Sequence, residues 1–293
     1  MNTHNISMPV WRSLMFVPAN NRRFLEKAHT RGADAIIVDL EDSVPLGEKK
    51  SARDHLPVAV YQVTQSGADM LVRINQPLRI AVRDLEAAVI TGVRGLVVPK
   101  VESAAALQAL ADVVTELEIE RGLEPGSVVM LAQIESPGAL LKLDEIAAVS
   151  RVVGLTLGPE DFCVEVGMEP NEDTLLAPSQ AIVFASSRNG ITPYGFVDSI
   201  ADYSDQERFA DTIARARQLG FRGALAVHPT QVAIMNEGFM PSAQQIQQAQ
   251  EIVDSFHAHQ EQGEAVFSLN GKMIDKPVVE RAIRLLNQLK ERG

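Results

Sequence analysis

The sequence predicts an α/β fold, a (β/α)8 TIM barrel with a C-terminal helical and hairpin extension. Eight short apolar runs recur along the chain, at 13–18, 35–40, 70–75, 95–100, 128–135, 152–158, 191–197 and 223–228. They are continuous in Val, Ile and Leu, as strands buried on both faces are, rather than alternating. Longer amphipathic stretches separate them, at 22–31, 48–65, 82–91, 104–121, 139–149, 175–189, 205–220 and 231–238. Strand then helix, repeated around a ring, is the pattern of this barrel, and a doubly wound open sheet is the alternative.

The residues that end the runs differ from those that begin them. In order, they are Pro18-Ala19-Asn20, Glu41-Asp42, Arg73 with Asn75, Pro99-Lys100, Glu135-Ser136, Glu160-Asp161, Asp198 and His228-Pro229. Polar chemistry therefore collects at the C-terminal strand ends, where barrels of this kind place their active sites. The seventh run is the weakest, because Pro193 and Gly195 interrupt it. Past the eighth unit the pattern changes. Ser242 is a suitable N-cap for a helix reaching about His259. Residues 265–275 read as a strand or hairpin turning at Asn270-Gly271. Pro277 opens a last helix to about Glu291. The expected division is a catalytic barrel over 1–240 and an extension over 241–293 that covers a barrel end or reaches a neighbouring subunit.

A chain of 293 residues, 46% apolar, is long enough for one barrel-sized core. Its net charge of -11 argues against nucleic acid and anionic membranes as partners. The single cysteine, Cys163, excludes an internal disulfide and a Cys-rich zinc site, and suits a reducing, cytoplasmic location. Residues 1–11 lack the apolar stretch of a signal peptide, and no run approaches the length of a membrane span.

Glu135 and Asp161 each close an apolar run. Acids at buried strand ends are costly unless paired, and two at one edge could share a hard cation such as Mg2+. Caps and ion pairs are the competing explanation. Asp39, Glu41 and Asp42 crowd the end of the second run, either to orient cations and bound waters or as a solvated loop. Arg73, inside the third run, must meet an anion, either a substrate oxygen or a carboxylate of Glu41 or Asp42. Gly158, Pro159, Glu160 and Asp161 form a tight turn whose backbone N–H groups could hold a carboxylate, or an ordinary turn. Lys49, Lys50 and Arg53, with Arg22 and Arg23, could bind cofactor phosphates or lie on solvated faces. Arg12 precedes its strand and is ambiguous. His228 is a candidate acid or base, or simply a hydrogen-bonded strand-end histidine. Cys163 has no activating neighbour in sequence.

Seven segments together resemble the citrate lyase beta-subunit-like acyl-CoA lyases. They are RSLMFVPAN (12–20), ADAIIVDLEDSV (33–44), VRIN (72–75), GLVVPK (95–100), QIESPG (133–138), GLTLGPEDF (154–162) and HPTQ (228–231). The resemblance implies a barrel holding Mg2+ through Glu135 and Asp161, with Glu41 and Asp42 supporting it. It implies that Arg73 contacts the keto acid and that amides near Gly158, Pro159 and Glu160 hold its carboxylate. It suggests that Arg12, Arg22, Lys49 and Arg53 lie on the coenzyme A side. The tail NGKMIDKP (270–277) resembles that of the malyl-CoA and citramalyl-CoA lyase branch. There the corresponding Asp, here Asp275, acts as general acid/base in a neighbour's site within a homotrimer. From spacing alone, Asp275 would be an N-cap.

The activity so implied is Mg2+-dependent carbon–carbon cleavage of a 3-hydroxyacyl-CoA, with (S)-citramalyl-CoA giving pyruvate and acetyl-CoA as the leading expectation. Alternatives are a malyl-CoA lyase, a malate or citramalate synthase or thioesterase, a citrate lyase beta subunit making oxaloacetate, a free-acid class II aldolase, and a non-enzymatic binding protein.

Overall fold

The computed structural model describes residues 10–201, 203–261 and 266–290. The expectations for residues 1–9, for the first hairpin residue and for the end of the last helix fall outside these. The chain divides into two compact units at Phe239/Met240.

The first unit is a barrel of eight parallel strands: β1 (Ser13–Pro18), β2 (Ala35–Asp39), β3 (Asp69–Arg73), β4 (Val93–Val98), β5 (Val129–Ile134), β6 (Val152–Leu157), β7 (Thr192–Tyr194) and β8 (Ala224–Ala226). Each pairs with its sequence neighbour, and β8 returns to pair with β1. Between β7 and β8 the ring closes through a single bridge, Tyr194 to Gly223. A Cβ on Gly223 would lie 1.9 Å from the Trp11 carbonyl oxygen, so this closure requires glycine.

Side-chain alternation separates two apolar layers. Leu14, Ala35, Ile37, Leu71, Val97, Val129, Leu131, Tyr194 and Leu225 fill the barrel interior. Their strand neighbours Ile36, Val38, Met70, Val72, Leu96, Val98 and Met130 face the outer helices. Both faces are thus buried, which is why the runs carry no polar alternation.

Several elements depart from expectation. The expected helix over 48–65 is broken into Lys49–Asp54 and Leu56–Val63. Pro57 lacks an N–H and its ring would meet the carbonyl four residues back, so the chain restarts with Pro57 in the first turn of the second helix. The stretch 139–149 forms two short helices, Pro137–Leu140 and Leu143–Ala147. The helix expected at 82–91 starts earlier, at Leu78. Strands β7 and β8 are three residues each, shorter than the runs suggested. The expected turn at 158–161 is the start of a helix, Pro159–Val166.

The second unit holds the helix Ala243–Glu261, the antiparallel strands β9 (Phe267–Leu269) and β10 (Lys272–Ile274), and the helix Lys276–Lys290. Asn270 and Gly271, at φ 51° and 77°, make the two-residue turn that Asn-Gly favours. Ser242 caps its helix by accepting from the Gln245 N–H. Phe267, Ile274 and Val279 form this unit's own core with Ile252 and Phe256. No helix among the described residues is long and apolar enough to cross a membrane.

Candidate active site

The barrel's C-terminal end surrounds a cavity of about 480 Å³. Asp39 and Arg73, the last residues of β2 and β3, are register partners. Arg73 donates from Nε to Asp39 Oδ1 at 2.7 Å and from Nη2 to Oδ2 at 2.8 Å. Its Nη1 lies 3.1 Å from Glu41 and 4.0 Å from Asp42. Its guanidinium sits 4.7 Å above the Phe16 ring. Burial alone would lower the Arg73 pKa, but Asp39, Glu41 and Asp42 raise it overall. Burial would likewise raise Asp39, and the bonds from Arg73, Ser43 and the Glu41 N–H hold it below the usual carboxylate range. The main partner of Arg73 is therefore Asp39, with Glu41 second, and not Glu41 or Asp42 alone as spacing suggested.

The loop after β2 is built on these contacts. Asp39 accepts from the Glu41 and Ser43 N–H groups. Lys49 Nζ donates to the carbonyls of Leu40 at 2.8 Å and Glu41 at 2.6 Å. Arg53 pairs at 2.9 Å with Asp84, a fully buried carboxylate that also accepts from the backbone and side chain of Asn75. Lys49 and Arg53 are thus spent on scaffold contacts, and neither lines the cavity. Lys50 pairs with Asp54 on an exposed face, and Arg22 is exposed on the first helix. Arg12 precedes β1 and forms a two-pronged ion pair with Asp34, which precedes β2. It sits at the strands' N-terminal ends, opposite the cavity. Its side chain ties adjacent strand starts together and does not line the cavity.

Glu135 directly follows β5 and is 4% exposed. Its Oε2 is buried without a hydrogen-bond partner among the described residues. Burial, then Asp161 and Glu41, push its pKa up to about 8 against the opposing pull of Lys100 and Arg73. Asp161 stands in the first turn of the helix Pro159–Val166 with its side chain 47% exposed. It lines the main cavity and a smaller one of about 340 Å³, which Glu135 and Lys100 also line. Gly158 makes room for the pair, since a Cβ there would lie 2.5 Å from Glu135 Cγ.

This arrangement fits a hard divalent cation. It offers one orphaned buried carboxylate, one half-open carboxylate and an adjoining space for water or substrate oxygens. No group of three or more His, Cys, Asp or Glu able to hold a metal occurs among the described residues. The helix start has no side-chain cap, so the N–H groups of its first turn, at Glu160 and Asp161, are available to an anion. Glu160 also lines the cavity and accepts from Ser199 at 2.6 Å.

Lys100 went unassigned in the sequence. It is one of two non-glycine residues at positive φ among the described residues, at 50°. Its Nζ lies 3.6 Å from both Glu41 and Asp161, linking the Arg73 cluster to the metal candidates. Its position at a strand end was the available signal. His228 caps its helix and contacts Thr230 through Nδ1, while its ring stacks on Tyr203. Cys163 is buried, and burial raises its thiol pKa, which leaves it inert. In the second unit, Asp275 Oδ1 accepts from the Val278 N–H at 3.2 Å, the cap that spacing suggests.

Eight strands with an acid-lined, arginine-anchored cavity at their C-terminal ends define a barrel enzyme. The family model for HpcH/HpaI aldolase/citrate lyase matches residues 12–229, and the chain belongs to that family. Among curated relatives, the citrate lyase subunit beta of Haemophilus influenzae is 35% identical over 288 residues, 97% of this chain and 98% of that protein. A (3S)-malyl-CoA thioesterase of Cereibacter sphaeroides is 31% identical over 269 residues, 90% of each chain. Among solved structures, CitE of Mycobacterium tuberculosis in complex with magnesium, acetoacetate and coenzyme A superposes with a TM-score of 0.76 at 25% identity. That match covers 95% of this chain and 97% of the other.

Proposed function

We propose that the chain is a Mg2+-dependent lyase that cleaves (S)-citramalyl-CoA to pyruvate and acetyl-CoA. Family membership and the CitE complex with magnesium and coenzyme A support the metal and the thioester. The charge inventory of the cavity carries the choice of oxo acid. Arg73 is the one cation among the described lining residues, against Asp39, Asp42, Glu160, Asp161 and Asp198. Its charge is already met by Asp39 and Glu41. Phe196, Phe221, Leu225 and Val227 give the cavity an apolar stretch of wall. A monocarboxylate with a methyl group suits that wall. A second carboxylate, as on oxaloacetate, finds no free cation there.

Glu135 and Asp161 hold the Mg2+, which when bound polarises the oxygen that becomes the keto oxygen. Arg73 has three N–H groups turned to Asp39 and Glu41, so of the five a guanidinium carries two remain to stabilise charge on the same oxygen. The first-turn N–H groups of the helix Pro159–Val166 hold the substrate carboxylate. The 3-hydroxyl gives up its proton to solvent as its C–O bond becomes C=O, and the bond between carbinol carbon and methylene carbon breaks with its electron pair left on the thioester fragment. Asp275, entering protonated, delivers a proton to that carbon, so that one proton leaves and one is taken up. Asp275 comes from a neighbouring subunit of a homotrimer, whose tail also excludes water from the thioester.

A second reading, citryl-CoA cleavage to oxaloacetate, is favoured by the 35% identical citrate lyase beta subunit. The two separate on one assay. The protein with Mg2+ is given (S)-citramalyl-CoA, (S)-malyl-CoA and citryl-CoA, and pyruvate, glyoxylate, oxaloacetate and free coenzyme A are followed. The proposal expects kcat/KM to be highest for citramalyl-CoA. Oxaloacetate as the main product overturns the choice of substrate, and excess free coenzyme A identifies a thioesterase.

A further inference from the structure

The cavity floor contains one polar group that the foregoing does not use. Gln133 lies on β5, two residues before Glu135 and on the same face of the strand. It is 7% exposed and lines the cavity beside Arg73 and Thr156. Its Oε1 is buried and accepts no hydrogen bond from any described residue. The surrounding groups explain why. Thr156, its register partner across β5 and β6, turns its hydroxyl to the Leu157 carbonyl. The Arg73 Nε and Nη2 groups are taken by Asp39. Nε2 of Gln133 faces the Gly158 side, where a Cβ would lie 2.9 Å from it and 2.5 Å from Glu135 Cγ. The amide thus shares a wall with Glu135, and Oε1 is its buried atom without a partner among the described residues.

A buried acceptor without a donor is destabilising, and a leucine or methionine would fill the same space without that defect. A glutamine here therefore points to a donor supplied by the ligand. A 2-oxo acid carboxylate and a thioester carbonyl bring only acceptors to the reacting end. The 3-hydroxyl of a 3-hydroxyacyl thioester brings an O–H.

Resting on the lyase reading above, we infer that Gln133 Oε1 accepts a hydrogen bond from the substrate 3-hydroxyl. Gln133 is thereby a positioning residue that distinguishes the thioester to be cleaved from the oxo acid released. An amide is too weakly basic to remove that proton, so Gln133 orients the hydroxyl and does not act as the base. The contact is lost as the hydroxyl becomes a ketone, which favours product departure.

The test compares wild type with Gln133→Met and Gln133→Leu in three measurements. These are kcat and KM for (S)-citramalyl-CoA, inhibition by pyruvate, and Mg2+ binding by calorimetry. Loss of one hydrogen bond to an oriented hydroxyl lowers kcat/KM by about 10- to 100-fold. Pyruvate inhibition and Mg2+ affinity stay within about twofold, because neither uses this acceptor, and the melting temperature is unchanged or higher. Equal weakening of thioester and pyruvate, or no loss of kcat/KM in either variant, overturns the inference while leaving the lyase reading intact. Absence of turnover by the folded wild type overturns the reading and this inference with it.

Discussion

Glu135 and Gly158 face each other across the ends of β5 and β6, and a side chain at 158 would lie within 2.5 Å of Glu135 Cγ. The carboxylate owes its place to the missing Cβ. Gly158→Ala forces Glu135 or the start of the helix Pro159–Val166 to move. Displacing a ligand-supporting contact lowers metal affinity by about 10- to 100-fold. Calorimetric titration with Mg2+ should show that loss, with far-UV circular dichroism unchanged. Unaltered Mg2+ affinity would mean that Glu135 does not bind the ion.

The raised pKa of Glu135 makes metal binding pH-dependent. Without metal, its proton is held up to about pH 8, against an ordinary 4.5. Mg2+ must displace that proton, so apparent affinity should rise by about tenfold per pH unit between pH 6 and 8 and level off above. The same shift has a stability sign. The folded chain holds the proton more tightly than the unfolded one, so this contribution is complete below about pH 4.5. It is lost as pH rises through 8. Thermal melts should therefore show Mg2+ stabilising the protein more at pH 8.5 than at pH 6.

Arg73 has a structural and a chemical task, and two substitutions separate them. Arg73→Ala leaves Asp39, whose side chain is 2% exposed, without its counterion. Breaking a buried pair in this way costs about 3–5 kcal/mol, which denaturant unfolding would register. Arg73→Lys keeps the charge but loses the planar fork, so the fold should survive with a smaller loss. Its kcat should fall by about 100-fold, as for removal of a donor to developing charge.

The proposed role of Asp275 in a neighbour's site predicts complementation. Asp275→Ala and Glu135→Gln should each be inactive as purified homo-oligomers. Co-expressed, they should regain measurable activity, because mixed assemblies contain sites with both residues intact. Full activity of Asp275→Ala alone would reduce Asp275 to the helix cap seen at Val278.

The strands were legible in the sequence because burial on both faces removes polar alternation, and interior positions such as Ile37 and Leu131 remain apolar like their outward neighbours. Beyond β6 the signal weakened. Strands β7 and β8 are three residues long, and Gly195 follows β7 and Gly223 precedes β8 where the ring closes. The Pro159–Val166 helix was missed because Gly158-Pro159 at its start read as a tight turn over residues 158–161. Proline at the first position with Glu160 and Asp161 in the first turn is nonetheless a helix-start signature. Arg12 is ambiguous in sequence because it precedes its strand; the pairing with Asp34 is visible only in the fold. Asp39 read as one acid in a cluster. Only the β2–β3 register reveals it as the partner of Arg73.

The central claim is tested most directly by product balance. Purified protein is incubated with (S)-citramalyl-CoA, with Mg2+ and with chelator, beside Asp161→Asn. The account predicts pyruvate and acetyl-CoA in equal amounts from the wild type with Mg2+, and little product with chelator or in the variant. Equal turnover in all three conditions, or free coenzyme A without acetyl-CoA, would contradict it.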